Sequence, residues 1–113
     1  MIKIYHNNRC SKSRIGLKLL EDSGKEFQVV NYLENTPDAN ELKKMISMLG
    51  IKPIELVRKN ESIWKENFKN KKLTDAEIID LMVQNPKLIE RPIVINGNKA
   101  VIGRPSEKII DIL

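Results

Sequence analysis

At 113 residues the chain has the length of one domain. A composition of 41% apolar and 31% charged residues excludes a disordered or fibrous protein, and one Cys with one His leaves no material for an internal disulfide, a cysteine-built metal site or a histidine cluster. The net charge of +5 favours anions without choosing among nucleic acid, acidic protein and small oxyanion, although aromatic residues at 4% are sparse for a nucleic-acid module.

No apolar run reaches the ~18 residues that a membrane span needs. The opening Met1-Ile2-Lys3-Ile4-Tyr5 passes straight into polar residues, unlike a secretion signal. A reducing cytoplasm is the expected setting for the thiol.

Ile2-Lys3-Ile4-Tyr5 alternates as a strand does, and Asn7-Asn8 follows as a loop. From Ser11 to Glu21, Ile15, Leu17, Leu19 and Leu20 recur at helical spacing, and Ser23-Gly24 stops the helix. Phe27 to Tyr32 reads as a second strand, so the opening third predicts a βαβ unit with two parallel strands. Thr36-Pro37-Asp38 opens a helix with Leu42, Met45, Ile46 and Leu49 on one face, closed by Gly50. Pro53 to Val57 predicts a short turn of helix, and Glu61 to Phe68 another short helix. Lys65 to Lys72 reads as a solvated basic loop region between helices. Thr74-Asp75-Ala76-Glu77 fits a capping box for a helix reaching Gln84. Pro92 to Ile95 and Lys99 to Ile102 flank Asn96-Gly97, a hairpin signature, with Asn98 leaving a longer turn open. Pro105-Ser106-Glu107 begins a last amphipathic helix carrying Ile109, Ile110 and Leu113.

The assembled order is β-α-β, several helices, then β-β-α. It predicts a single α/β domain over residues 1–113: a thioredoxin-like, mixed four-stranded sheet flanked by helices, with residues 38–84 as a helical insertion between the two halves.

Cys10 stands at the start of the first helix, where unpaired N–H groups and the helix dipole favour an anion such as a thiolate. Arg9, Lys12 and Arg14 add positive potential, and the polar neighbours Asn7, Asn8, Ser11 and Ser13 are unlike a core. In Cys10-Ser11-Lys12-Ser13 a serine occupies the second position of a dithiol pair, so turnover through Cys10 needs an external thiol. The Ser13 hydroxyl is free either to cap the helix or to donate to the sulfur. His6 lies four residues upstream, placed either to hydrogen-bond within the loop or to tune the thiolate. Arg58, Arg91 and Arg104 fall at element boundaries, the last two beside prolines where loops gather. Guanidinium forks suit a tetrahedral oxyanion, although arginines are ordinarily solvated. Arg91-Pro92, opening a strand beside a thiol site, is a candidate cis peptide.

His6-Asn7-Asn8-Arg9-Cys10-Ser11-Lys12-Ser13-Arg14, Leu56-Val57-Arg58-Lys59-Asn60, Glu90-Arg91-Pro92-Ile93-Val94 and Gly103-Arg104-Pro105-Ser106-Glu107 together resemble the glutaredoxin-coupled arsenate reductases. The likeness covers essentially the whole chain, including Tyr32-Leu33-Glu34-Asn35 and Asp111-Ile112-Leu113. It implies a thioredoxin-like fold, Cys10 as nucleophile, and Arg58, Arg91 and Arg104 as oxyanion binders. His6 matches the histidine near the family's catalytic loop, and Asn8 stands where proline is commoner. The implied reaction is reduction of arsenate to arsenite, with no metal or bound cofactor and with glutathione and glutaredoxin as external reductants. Neither nucleic acid nor membrane is implied as a partner. A more distant likeness is to Spx-type regulators that bind RNA polymerase, whose Cys-Xaa-Xaa-Cys switch is removed here by Ser13. A third reading is a thiol oxidoreductase of the same fold acting on another substrate, such as a glutathione mixed disulfide.

Overall fold

The computed structural model describes residues 2–113, and Met1 lies outside them. The chain divides into two units, one made of the segment up to Asn35 together with Arg91–Leu113, the other of Thr36–Glu90.

The first unit holds a four-stranded sheet. β1 (Ile2–His6), α1 (Ser11–Asp22) and β2 (Phe27–Asn31) form the βαβ unit, and β3 (Ile93–Asn96) and β4 (Lys99–Ile102) form the hairpin. The strand order is β2-β1-β3-β4, with β1 parallel to β2 and the other pairs antiparallel. Alternation decides the faces: Ile2 and Ile4 of β1 join Val94 of β3, Leu20 of α1 and Ile109 and Ile112 in one apolar cluster. This is the mixed sheet with flanking helices that the thioredoxin-like reading predicts.

Two local details differ from the expected ones. The hairpin turn is Gly97-Asn98 rather than Asn96-Gly97: Asn96 pairs with Lys99 as the last residue of its strand. Gly97 alone takes positive φ, at 63°, which is the glycine-first pattern of a type II′ turn. The Asn96 side chain is tied elsewhere, its Nδ2 donating to the Ile112 carbonyl at 2.7 Å. The closing segment, Ser106–Ile112, is a 3-10 helix rather than an α-helix. Its buried residues are Ile109 and Ile112, three apart, as a three-residue repeat requires, and Ile110 is left 57% exposed.

The second unit is helical, with α2 (Ala39–Leu49), α3 (Ser62–Asn67), α4 (Asp75–Gln84) and 3-10 turns at Pro53–Leu56 and Pro86–Leu88. α4 packs against α2 and both turns, and a single antiparallel bridge joins Val57 to Ile89. Asp38 caps α2 by accepting from the Glu41 N–H, and Gly50 ends it in the left-handed region at φ 67°. The capping box of α4 forms as expected, with the Thr74 N–H donating to Glu77 Oε1 at 2.9 Å and the Glu77 N–H donating to Thr74 Oγ1 at 3.2 Å.

That backbone hydrogen bond from Thr74, followed by the one from its hydroxyl, holds the Glu77 carboxyl below its ordinary range. A depressed carboxylate stabilises the fold above its unfolded-state value, and the contribution fades as pH falls through the folded-state value. Glu77→Gln is therefore expected to flatten the acid limb of a stability-against-pH curve measured by urea unfolding. An unaltered acid limb would show that the box carries no such linkage.

Two glycines set the packing around the start of β3. A Cβ on Gly103 would meet Ile109 Cδ1 at 2.9 Å and Pro92 Cγ at 3.0 Å, and one on Gly16 of α1 would meet the same two atoms at 3.1 and 3.0 Å. Both residues must therefore stay small for α1 and the β4 end to close on Pro92 and Ile109. Gly103→Ala is expected to lower stability by about 1–3 kcal/mol through overpacking, read from the urea midpoint.

Candidate active site

Cys10 is the N-cap of α1, in extended backbone at φ −97° and ψ 120°, and it is 6% exposed. Its carbonyl accepts the first helical bond from the Arg14 N–H at 3.0 Å, and its own N–H returns to the Asn7 carbonyl at 3.0 Å. No side chain caps this helix and its first turn carries no acid, so the end keeps its partial positive charge beside the sulfur.

The loop from β1 to α1 is fastened by a chain of hydrogen bonds that starts from a buried pair, His6 and Ser13. His6 Nε2 lies 2.6 Å from Asn8 Oδ1 and His6 Nδ1 lies 2.6 Å from Ser13 Oγ. Asn8 Oδ1 only accepts, so Nε2 carries the proton of that bond. In the neutral ring the Ser13 hydroxyl donates to Nδ1 while accepting from the Asn7 N–H at 3.0 Å. Asn7 Oδ1 in turn accepts from the Arg9 N–H at 3.0 Å, a local Asx turn.

Ser13 therefore takes neither of the roles open to it in the sequence. Its hydroxyl caps no helix and bonds no sulfur, because it is fully buried and committed to His6 and Asn7. His6 makes its bonds within the loop. Asn7 and Asn8 are the contributors missed by sequence reasoning; paired asparagines in a short loop were the available signal. Ser13→Ala leaves the Asn7 N–H and His6 Nδ1 without their partner and is expected to cost about 1–3 kcal/mol in urea unfolding.

Arg104 reaches the sulfur across 94 positions of sequence: its Nη2 lies 3.7 Å from Cys10 Sγ, while its Nε donates to the Arg91 carbonyl at 2.8 Å. Arg91–Pro92 is cis, as expected, and Arg104–Pro105 is cis as well. The Arg91 side chain is only 8% exposed, and its Nε and Nη1 are buried without a hydrogen-bond partner. Buried N–H donors lacking acceptors are costly, and an anion is one group that compensates them. Arg58 belongs to the helical unit, where its Nη1 donates to Glu61 Oε2 at 2.8 Å and its Nε lies 3.8 Å from Glu90 Oε1. Neither residue lies within a helix: Arg58 precedes a turn and Glu61 is the N-cap of α3.

The structure thus joins Cys10, Arg104 and the Arg91 backbone directly, with His6 and Ser13 behind the loop. A separate groove of about 650 Å³ in the helical unit is lined by Trp64, Lys65, Lys69, Lys71 and Ile78, with no cysteine among its lining residues. Among the described residues no cluster of three His, Cys, Asp or Glu side chains is set to hold a metal, and no helix is long and apolar enough to cross a membrane.

The ArsC family model matches residues 5–112. The chain is 47% identical to the uncharacterized protein YfgD of Escherichia coli, over 99% of this chain and 96% of that protein. It is 44% identical to the arsenate reductase of Acidiphilium multivorum, over 99% of this chain and 80% of that one. Its fold superposes on the arsenate reductase structure from Vibrio cholerae with a TM-score of 0.94 at 43% identity, covering 99% of this chain and 97% of the other. The chain is a member of the ArsC family.

Proposed function

We propose that the chain reduces arsenate to arsenite, with Cys10 as the nucleophile and with glutathione and glutaredoxin supplying the electrons. The observation that carries this reading is the buried Arg91 side chain, whose unpartnered Nε and Nη1 are donors suited to an anion, on a segment that Arg104 ties to the Cys10 sulfur. Relatives named arsenate reductases at 41–44% identity supply the choice of oxyanion.

The Cys10 thiolate attacks arsenic(V), an S–As bond forms, and one arsenic oxygen leaves as water after protonation. Arg91 and Arg104 neutralise the oxygens, and their fixed N–H donors meet the charge that grows in the transition state. The α1 N-terminus favours the thiolate form of the attacking group. Glutathione thiolate then attacks the Cys10 sulfur; an S–S bond forms, the S–As bond breaks, and its electron pair stays on arsenic, which leaves as arsenic(III). Glutaredoxin takes the glutathione from Cys10 by thiol–disulfide exchange and frees the thiolate. Two thiols are oxidised for each arsenic reduced, as the lone cysteine demands. Arg58 joins the proposed oxyanion binders through the family resemblance, with its charge already shared by Glu61 and Glu90.

Arsenite formation from arsenate, measured with glutathione and glutaredoxin together and with each omitted, tests the reading. Turnover that requires the thiol system supports it. A protein that consumes glutathione mixed disulfides but makes no arsenite would instead be an oxidoreductase of another substrate.

A further inference from the structure

The cationic stretch that contains Cys10 has a feature that small-oxyanion chemistry does not use. No Asp or Glu precedes Glu21, whereas Lys3, Arg9, Lys12, Arg14 and Lys18 all do. Arg9, Lys12 and Arg14 are exposed, and among the described residues none of the three forms an ion pair with a carboxylate. Among these cations, Ile15 stands 49% exposed on α1. Lys12, Ile15 and Lys18 follow at three-residue spacing, and Ser11 lies four before Ile15, so the four share one solvent side of the helix that begins at Cys10. A β-branched residue here gains nothing from helix propensity. Lys18 is paired with Asp22 at 2.8 Å, but an apolar side chain bordered by Arg9, Lys12 and Arg14, none of them paired with a carboxylate, has the anatomy of a docking anchor with its polar rim.

We propose that this face of α1, centred on Ile15 and bordered by Arg9, Lys12 and Arg14, docks an acidic protein thiol reductant. The proposal rests on reading Cys10 as a reacting thiol, and it names the side from which the electron donor approaches. The partner is specified by chemistry: a protein whose reactive thiol is bordered by carboxylates and an apolar contact. Its thiolate attacks the outer sulfur of a disulfide carried on Cys10, a new S–S bond forms on the partner's side, and the old bond breaks with its electron pair returning to Cys10 Sγ.

The test needs no arsenate. Cys10 of the intact chain is converted to its mixed disulfide with glutathione by exchange with oxidised glutathione. Its release is then followed with three reductants: a glutaredoxin with an acidic active-site rim, free glutathione, and uncharged dithiothreitol. Ile15→Gln keeps a good helix former and removes the apolar contact. It is expected to lower the second-order rate constant with glutaredoxin about fivefold to tenfold, the effect of losing a moderate hot spot. The dithiothreitol and glutathione rates should be unchanged. Added salt should slow the wild-type reaction with glutaredoxin and leave the dithiothreitol reaction alone.

An unchanged glutaredoxin rate in Ile15→Gln overturns the proposal. So does equal slowing with dithiothreitol, which would mean altered access to the sulfur. Slowing with free glutathione as well would assign the face to the tripeptide and overturn the protein partner. Arsenite formation is scored separately, so a failure of the arsenate reading and a failure of this one give different results.

Discussion

Arg91→Met is expected to yield a protein that is more stable without anion and far poorer with arsenate. Arg91 is 8% exposed and two of its guanidinium nitrogens have no acceptor, so its charge opposes folding until an anion arrives. Methionine fills a similar length without charge or donors. Replacing buried ions by apolar groups of similar volume commonly stabilises by about 1–4 kcal/mol, and a shift of that order is expected in urea unfolding. On the functional side, loss of these donors should lower kcat/KM for arsenate about 10²–10³-fold. Saturating arsenate or sulfate should raise the wild-type Tm, by about 2.7 kcal/mol of linkage at 100 times Kd, and should not move that of the variant. A variant less stable than wild type that keeps its anion-induced shift would remove Arg91 from the site.

Cys10→Ser is expected to abolish arsenite formation, by at least about 10³-fold, because a hydroxyl at this position is a far weaker nucleophile than a thiolate. The exchange of one atom in a side chain that is only 6% exposed should leave the fold and anion-induced stabilisation in place. That combination separates lost chemistry from lost binding. Arsenite production at the wild-type rate would show that this sulfur is not the attacking atom.

Much of the fold was legible because it is written in local pattern. The alternation of Ile2-Lys3-Ile4, the helical spacing behind Cys10, the Thr74/Glu77 box and the Gly50 stop each depend on a few neighbouring residues. The hairpin was legible, but its register was not: the Asn96 amide is claimed by the Ile112 carbonyl, 16 residues away. The last segment misled for a similar reason, since Ile109 and Ile112 fit a three-residue repeat while Ile110 points to a helical one. At the site, the position of Cys10 could be read from sequence because a helix start is local. The reach of Arg104 to the sulfur and the burial of Arg91 were not readable, because each depends on packing between distant segments. Ser13 was visible as a polar residue in the right place, yet its partners, His6 and Asn7, are chosen by the path of the loop.

The squeeze of Gly16 and Gly103 on Pro92 and Ile109 makes the anion seat a matter of carpentry at a distance. Pro92 is the next residue after Arg91, and Ile109 crowds the same two glycines that Pro92 does, so its bulk acts as a shim near the segment that leads into β3. Trimming that shim by one methylene would let the strand end settle inwards without touching a charged group. A laboratory selection for a differently sized oxyanion therefore has reason to sample position 109, a hydrocarbon side chain nearly a hundred residues from the thiol.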